Sequence, residues 1–476
     1  MKLSLIAIED LRDGLQLIVA SLLFLIQNGG QGFPVPLLIR NVTVVDVLHG
    51  SLRAGMSVEI AGYKIVSLIP ASEAPPRAES QIIDAGGKFL IPGLWDMHVH
   101  IFFDPPAYFP LLLANGVTGI RDMGGPAGWL LSWRRQVDRG YVVGPRMAVA
   151  GPYLDGPTSH QSFAVRIGTP DEARRAVSSL AGRGVDFIKI MSVVPRETYF
   201  AAAREANRQG LPFVGHVPEA VSAAEASQAG QKSLEHLFGI LAACAVHERE
   251  LRSHIRPDPV GREFPAYETL LAEFSDTAEA KLLEEFRRNG TWQTPTLKIW
   301  SVRASLDDPR LYQDPALSYV SRAMSAEWDP KTDYRLRDMT PADIALAKRL
   351  LRRCFQIVHS MQLAGVGILA GTDTPFPFCV PGFSLHDELE LLVEAGLSPL
   401  EALQSATIRP AEFLGRDRAL GTVEQGKVAD LVLLDGNPLE DIRNTRKIAA
   451  VVVNGIYLNR GIRDRMLAEV RRSAHN

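Results

Sequence analysis

Between residues 84 and 376 the chain repeats one pattern: a short apolar, β-branched run, a polar or glycine break, and a stretch of helical periodicity. Eight such runs predict strands: "KFLIPGLWDMHVH", "GVTGIRDMG", "GPRMAVAGPYL", "GVDFIKIM", "LPFVGHV", "KSLEHLFG", "TWQTPTL" and "VGILAGTDTP". Helix starts are written between them. Thr169-Pro170-Asp171-Glu172 supplies an N-cap, a first-turn proline and a capping-box glutamate. Thr340-Pro341 opens a long periodic helix through Met361, and Ser398-Pro399-Leu400-Glu401 repeats the capping box. Gly210, Gly230 and Gly290 stand where helices should stop. Buried strands alternating with helices predict an α/β fold, a (β/α)8 TIM barrel. A doubly wound open sheet is the rival, but no glycine fingerprint follows a strand to support it.

Two inserts break the rhythm, about Cys244–Lys281 after strand six and about Lys298–Met339 after strand seven. The second carries Trp300, Tyr312, Tyr319, Trp328 and Tyr334, so it either walls a pocket or packs on the barrel rim. Outside the barrel, "LLIRNVTVVDV", "GMSVEIAGYKIVSLIP", "ADLVLLDG" and "AAVVVNGIYL" alternate with period two and predict a small β-sandwich built from both chain ends. The expected division is residues 36–84 with 420–476 for the sandwich and 85–419 for the barrel. Residues 1–35 stand apart. Their apolar run Leu15–Ile26 has the length of a signal h-region, but Glu9, Asp10 and Asp13 precede it and no clear cleavage site follows. A buried or amphipathic helix and an export signal both fit it, which leaves cytoplasm and periplasm or cell envelope open.

Composition narrows the function classes. Of 476 residues 46% are hydrophobic and 22% charged, as in an ordinary soluble protein. A net charge of −3 without a long basic cluster argues against a nucleic-acid surface. Cys244, Cys354 and Cys379 are too widely spaced for a disulfide framework or thiolate metal site. A small-molecule substrate and a homo-oligomeric assembly are expected, with no nucleic acid and no stable membrane span.

Titratable residues collect at the C-terminal ends of the predicted strands, where barrel enzymes build active sites. His98 and His100 end strand one, and two residues apart they share a face. Lys189 lies in strand four, His216 ends strand five, His236 strand six and Asp373 strand eight. A lone buried histidine is usually a hydrogen-bonded core residue. Four at corresponding positions, with an aspartate, point to a metal site, and these donors suit zinc. Lys189, flanked by Ile188 and Ile190, either pairs with Asp373 or another acid, or reacts with carbon dioxide to give a carbamate that can bridge two cations.

This constellation resembles the amidohydrolase superfamily of metal-dependent hydrolases, from about Leu37 to Leu458; "PGLWDMHVH" and "GTVEQGKVADLVLLDGNPLEDI" are its most specific pieces. "FVGHV", "KSLEHL" and "AGTDTP" are most similar to the imidazolonepropionase-like branch, with its prolidase-like dipeptidases and ochratoxin-type amidases. The resemblance implies two divalent cations, zinc first among them. His98, His100 and Asp373 would hold the more buried one, His216 and His236 the other, and carboxylated Lys189 would bridge them. After Lys189 the chain reads "MSVVPRET" rather than the small and glycine residues of those peptidases, a departure at the dipeptide-specific part of the pattern.

The expected chemistry is hydrolysis of a C–N bond in an amide or peptide-like small molecule (an N-acyl amino acid, a dipeptide or an aryl amide) by a metal-bridging hydroxide, with Asp373 shuttling the proton. A carbamate, urea, lactone or phosphoester would use the same site, and a non-catalytic scaffold is the other class. His160 in "DGPTSHQ" could bind the oxyanion or a substrate carboxylate, or be a solvated loop residue. Arg121 could anchor an anionic substrate group, or form a salt bridge with Asp122 or Asp96. His49, His247, His254, His359, His386 and His475 read as structural or surface residues.

Overall fold

The computed structural model describes residues 35–73, 80–254 and 264–475. The apolar run at Leu15–Ile26, and the reading of it as a signal, lie outside the described residues. Among the described residues no helix is long and apolar enough to cross a membrane.

Both chain ends meet in one mixed sheet. Strands β1 (Leu37–Asp46), β2 (Ser51–Ala61), β3 (Lys64–Pro70), β4 (Gln81–Asp84) and β5 (Phe89–Pro92) come from the first end, and β15 (Leu431–Leu434), β16 (Ile448–Val453) and β17 (Ile456–Asn459) from the second. The order is β17-β16-β15-β5-β1-β2-β3, with β4 on β1. The seam is the antiparallel pairing of β15 with β5, Val432 opposite Ile91. Alternation sorts each strand between two cores. Leu431, Leu433, Ala450 and Val452 join Leu37, Ile39, Val58 and Ile60 in a cluster within the sheet. Val432, Leu434, Val451 and Val453 face the other way, into the main core of the molecule.

The predicted first barrel strand is two strands. Its first part is β5, in the chain-end sheet, so the first end's share of that sheet runs to Pro92, past residue 84. Its second part is β6 (Leu94–Val99), which pairs in parallel with β7 (Val117–Asp122). Gly93 makes the crossing possible: a Cβ there would lie 2.0 Å from the Thr118 hydroxyl.

Parallel strands alternate with helices from here. β8 (Arg146–Val149) continues the sheet of β6 and β7, and a second sheet runs β10-β9-β11-β12-β13-β14. Its members are β9 (Tyr153–Asp155), β10 (Ala164–Arg166), β11 (Ile188–Ile190), β12 (Phe213–Gly215), β13 (Gln231–Glu235) and β14 (Trp292–Thr294). The predicted third strand is interrupted at Gly151-Pro152, where proline removes a ladder donor, and its halves enter different sheets. The predicted eighth strand is only a hydrogen-bonded segment. Leu369 N donates to Gln293 O at 2.9 Å, Met97 N to Ala370 O at 2.9 Å and Asp373 N to His98 O at 2.8 Å, which joins β14 to β6. The architecture is a TIM-barrel-like α/β fold. Capping boxes close at Thr169–Glu172, Thr340–Asp343 and Ser398–Glu401, opening helices Pro170–Arg183, Pro341–Leu363 and Pro399–Ser405.

Candidate active site

The strand ends bring the four histidines into one cluster. Ring centroids of His98 and His236 are 4.4 Å apart, of His216 and His236 5.1 Å, and of His98 and His100 5.5 Å. Asp373 reaches in from the β6-bound segment, its Oδ1 3.3 Å from His98 Nε2 and 3.4 Å from His100 Nε2. His98, His100 and Asp373 can offer ligand atoms that all lie within 4.8 Å of one another.

Each imidazole is held at Nδ1. His98 Nδ1 lies 2.8 Å from Glu235 Oε2, His100 Nδ1 3.1 Å from Gly124 O, His216 Nδ1 2.8 Å from Ser192 Oγ and His236 Nδ1 2.8 Å from Thr296 Oγ1. Three of these partners fix the tautomer. Glu235 and Gly124 O can only accept, and the Thr296 hydroxyl already donates to Pro295 O at 2.8 Å. His98, His100 and His236 therefore carry their proton on Nδ1 and keep a lone pair on Nε2. Burial, with neighbouring cationic groups, holds the pKa of His98, His216 and His236 well below the ordinary histidine range, so the rings are neutral. His98 Nε2 is fully buried and has no hydrogen-bond partner. A buried lone pair left without a donor is costly unless something electrophilic meets it. These donors fit a divalent cation, which His98, His100 and Asp373 could hold.

Lys189 sits at the centre of β11, 1% exposed. Burial lowers its pKa to about 8, against the fields of Glu235 and Asp373. It has no ion pair with Asp373 or any other carboxylate among the described residues. Gly215 on the neighbouring strand leaves room for its stem: a Cβ there would lie 2.9 Å from Lys189 Cδ and 2.2 Å from Ile190 O.

Arg121 is not at the mouth of the site. It is wholly buried, and its partner is Glu235 rather than Asp122 or Asp96. Nε donates to Met97 O at 2.6 Å, Nη1 to Ser233 Oγ at 2.9 Å, and Nη2 to Glu235 Oε2 at 2.9 Å and Thr294 Oγ1 at 3.0 Å. With its donors spent inside the barrel, the guanidinium positions Glu235, and Glu235 positions His98. Burial disfavours the Glu235 anion, but Arg121, then Lys189 and Ser233, hold its pKa below the usual value. Glu235 is the site residue that the strand pattern did not disclose, although Ser233 and Glu235, two apart on a buried strand, share a face that needs a cation. His160 is exposed on the loop between β9 and β10 and has no place in the histidine cluster.

Asp96 is a further buried acid, pushed by burial to about 7, that accepts from His98 N, Thr372 N and the Thr372 hydroxyl. It pins the end of β6 to the segment bearing Asp373. The backbone is left-handed at His236 (φ 63°), Thr296 (φ 46°) and Asp373 (φ 59°), strain that clusters where side chains are aimed at the site.

The inserts divide their aromatic residues. Tyr312 and Trp328 pack on Phe378, and Tyr319 stacks on Phe383, as rim packing. Trp300 instead donates from Nε1 to His236 O at 3.0 Å. With Phe238, Leu241, Tyr267, Leu270 and Ile357 it lines an apolar pocket, and the Phe238 ring lies 5.1 Å from His216 and 4.9 Å from His236. Residues of both inserts, Tyr267, Leu270 and Trp300, thus wall a pocket, and others brace the rim.

Known proteins share this arrangement of the chain. A bottromycin amidohydrolase superposes with a TM-score of 0.76 at 25% identity, covering 98% of this chain and 93% of that one. Ochratoxinase from Aspergillus niger is 23% identical over 425 residues, 76% of this chain and 73% of that protein. A Xaa-Pro dipeptidase solved with bound methionine shares the fold, with a TM-score of 0.64 at 21% identity over 89% of this chain and all of that one. The model of the amidohydrolase family matches residues 89–457, well over half the sequence. That span holds every residue of the histidine cluster together with Lys189 and Asp373, and the chain belongs to the amidohydrolase family, as a hydrolase of C–N bonds.

Proposed function

We propose that the protein is a binuclear metal-dependent hydrolase that cleaves the C–N bond of an amide or peptide-like small molecule. The observation that carries this reading is the set of imidazoles locked with Nδ1 protonated, leaving Nε2 lone pairs, one of them buried without a partner. His98, His100 and Asp373 would hold one cation, His216 and His236 the other, with Lys189 between them. Bound there, divalent cations, zinc first among them, would supply Lewis acidity and water acidified toward neutrality. A closed barrel, with the hydrogen-bonded segment 369–373 in the place of an eighth strand and the chain-end sheet as a small sandwich, is the scaffold in this reading, and a homo-oligomer its assembly.

The chain's own residues do the rest. Lys189, buried and with its pKa lowered to about 8, has a free amine fraction near neutral pH. Its nitrogen lone pair can add to carbon dioxide, giving a carbamate and releasing one proton. Asp373, 19% exposed where His98 is fully buried, borders both the cluster and solvent. Its carboxylate would take the proton of the attacking water and pass it to the departing nitrogen, which must leave as an amine. Phe238, Leu241, Tyr267 and Trp300 offer an apolar wall for the substrate and exclude water from that side.

The test is metal analysis of the purified protein joined to an activity screen against N-acyl amino acids, dipeptides and aryl amides. About two equivalents of divalent metal, with turnover of at least one class that a chelator abolishes, is expected. A metal-free protein that hydrolyses amides at full rate would overturn the reading.

A further inference from the structure

The second insert brings two arginines to one aromatic ring. The guanidinium carbons of Arg303 and Arg335 lie 5.7 and 4.8 Å from the ring centroid of Phe376. Phe376 is bound to the site by its backbone, its N–H donating to Asp373 O at 2.8 Å. Arg335 is committed on one side: Nε and Nη2 hold Asp333, the latter at 2.7 Å from Oδ2. Burial opposes its charge, but Asp333, Tyr334 and Asp373 more than offset that and raise its pKa.

Arg303 is different. Among the described residues it has no carboxylate partner, and its Nε is buried with no acceptor. Its charge rests only on aromatic faces, 5.5 Å from the Trp300 centroid and 5.7 Å from that of Phe376. Tyr334 lies in the fields of both Asp373 and Arg303, so this guanidinium and the candidate site share one electrostatic neighbourhood. Of the two cations at this corner only Arg335 is paired with a carboxylate among the described residues, and the donor fork of Arg303 is left unused. A fork of that kind matches a carboxylate.

We infer that Arg303 and Arg335, stacked on Phe376, form an anion-binding corner that holds a carboxylate of the substrate. The inference rests on the amide-hydrolase reading and narrows it: N-acyl amino acids and peptides with a free carboxylate are preferred over neutral aryl amides. Trp300 contributes to both this corner and the apolar pocket, so a bulky apolar group next to the carboxylate completes the match.

The experiment has a binding arm and a turnover arm on the full-length, metal-loaded protein. Calorimetry compares 3-phenylpropionate with 3-phenylpropanol, neither of which can be hydrolysed. Wild type should bind the acid at least about tenfold more tightly, the range of a charge-assisted pair. Arg303→Gln should erase that preference and leave the alcohol unchanged, while Arg303→Lys, which keeps the charge but not the fork, should retain part of it. In turnover, Arg303→Gln should raise KM for an N-acyl amino acid and spare its neutral amide counterpart, with kcat little changed. Equal binding of acid and alcohol by wild type, or an acid preference surviving in Arg303→Gln, overturns the corner even if amides are hydrolysed. Conversely, an acid preference that Arg303→Gln removes, in a protein that hydrolyses no amide, upholds the corner and removes the hydrolase reading.

Discussion

Strands β15 and β16 and strand β6 follow the same alternation, yet they bury opposite chemistry. In the chain-end pair, Leu431 and Leu433 face one apolar core and Val432 and Leu434 the other. In β6, Trp95, Met97 and Val99 enter the main core, while Asp96 and His98 between them are just as buried. Apolar burial is non-directional and scales with area, roughly 25 cal/mol per Å². Polar burial needs a partner for every atom, or it costs more than it returns. The chain-end sheet is thus held by area, and the site by a directed network from Arg121 through Glu235 to His98. Damage should show as lost solubility in the first region and as misplaced groups in the second.

The largest expected effect is on the first region. Ending the chain at Gly415 removes β15, β16 and β17 and uncovers Leu90, Ile91 and the inner faces of β1 and β2. Such a protein should be insoluble or aggregate through its open edge, seen as loss of the soluble monodisperse fraction. Soluble, metal-loaded protein from that truncation would show that area does not hold the layer.

In the second region, Asp373→Asn should cost activity without costing the fold. An amide cannot carry the proton, so kcat should fall by about 10²–10⁴. The melting temperature should stay near wild type, because Asp373 is partly exposed and the main-chain bond from its N–H to His98 O survives. Turnover within a few fold of wild type would remove Asp373 from proton transfer.

Arg121→Met sharpens the comparison, since it breaks the network from behind. It leaves Glu235 as a buried anion without its cation, which costs about 3–5 kcal/mol in comparable cases. Denaturant unfolding should show that loss, and metal content should fall with it. The double variant Arg121→Met/Glu235→Leu should recover much of the stability and none of the metal affinity, because His98 then lacks its Nδ1 acceptor. Recovery of both would make Glu235 a packing residue only.

How much of this could be read in the sequence follows the same division. Unbroken apolar runs such as "LVLL" and "AAVVV" announce strands buried on both faces, and "DMHVH" announces two imidazoles on one face, because each is a local pattern. Arg121 and Glu235 are 114 positions apart, and alternation says which face each occupies but not what lies across it. Left-handed backbone at His236, Thr296 and Asp373 has no glycine to signal it, so the turns that aim these residues were not legible. The predicted eighth strand failed for a related reason: Gly371 interrupts the segment and Pro375 ends it, and its pairing is a few bonds rather than a ladder. Insert side chains carry no period at all, and Trp300 could not be told from Trp328.

The smallest effect tests where the two regions' rules meet. Glu388, fully buried in helix Phe383–Glu394, accepts from Leu297 N at 3.0 Å and Lys298 N at 2.8 Å, and so anchors the start of the helix that carries Trp300 and Arg303. Burial pushes its pKa up to about 8, although those two backbone donors pull it down. In the unfolded chain the group titrates near 4.5, so the folded protein holds a proton that the unfolded chain has released. That contribution is fully present below pH 4.5 and is lost as pH rises through about 8. Glu388→Gln removes the titration but keeps one acceptor oxygen, so it gives up one of the two backbone donors. The variant should therefore melt below wild type at low pH, and the gap should shrink by about a few degrees as pH approaches 8. Melting curves that stay parallel from pH 5 to 8 would mean that Glu388 is ionised in the fold, an area-type surrounding overruled by its two directed donors.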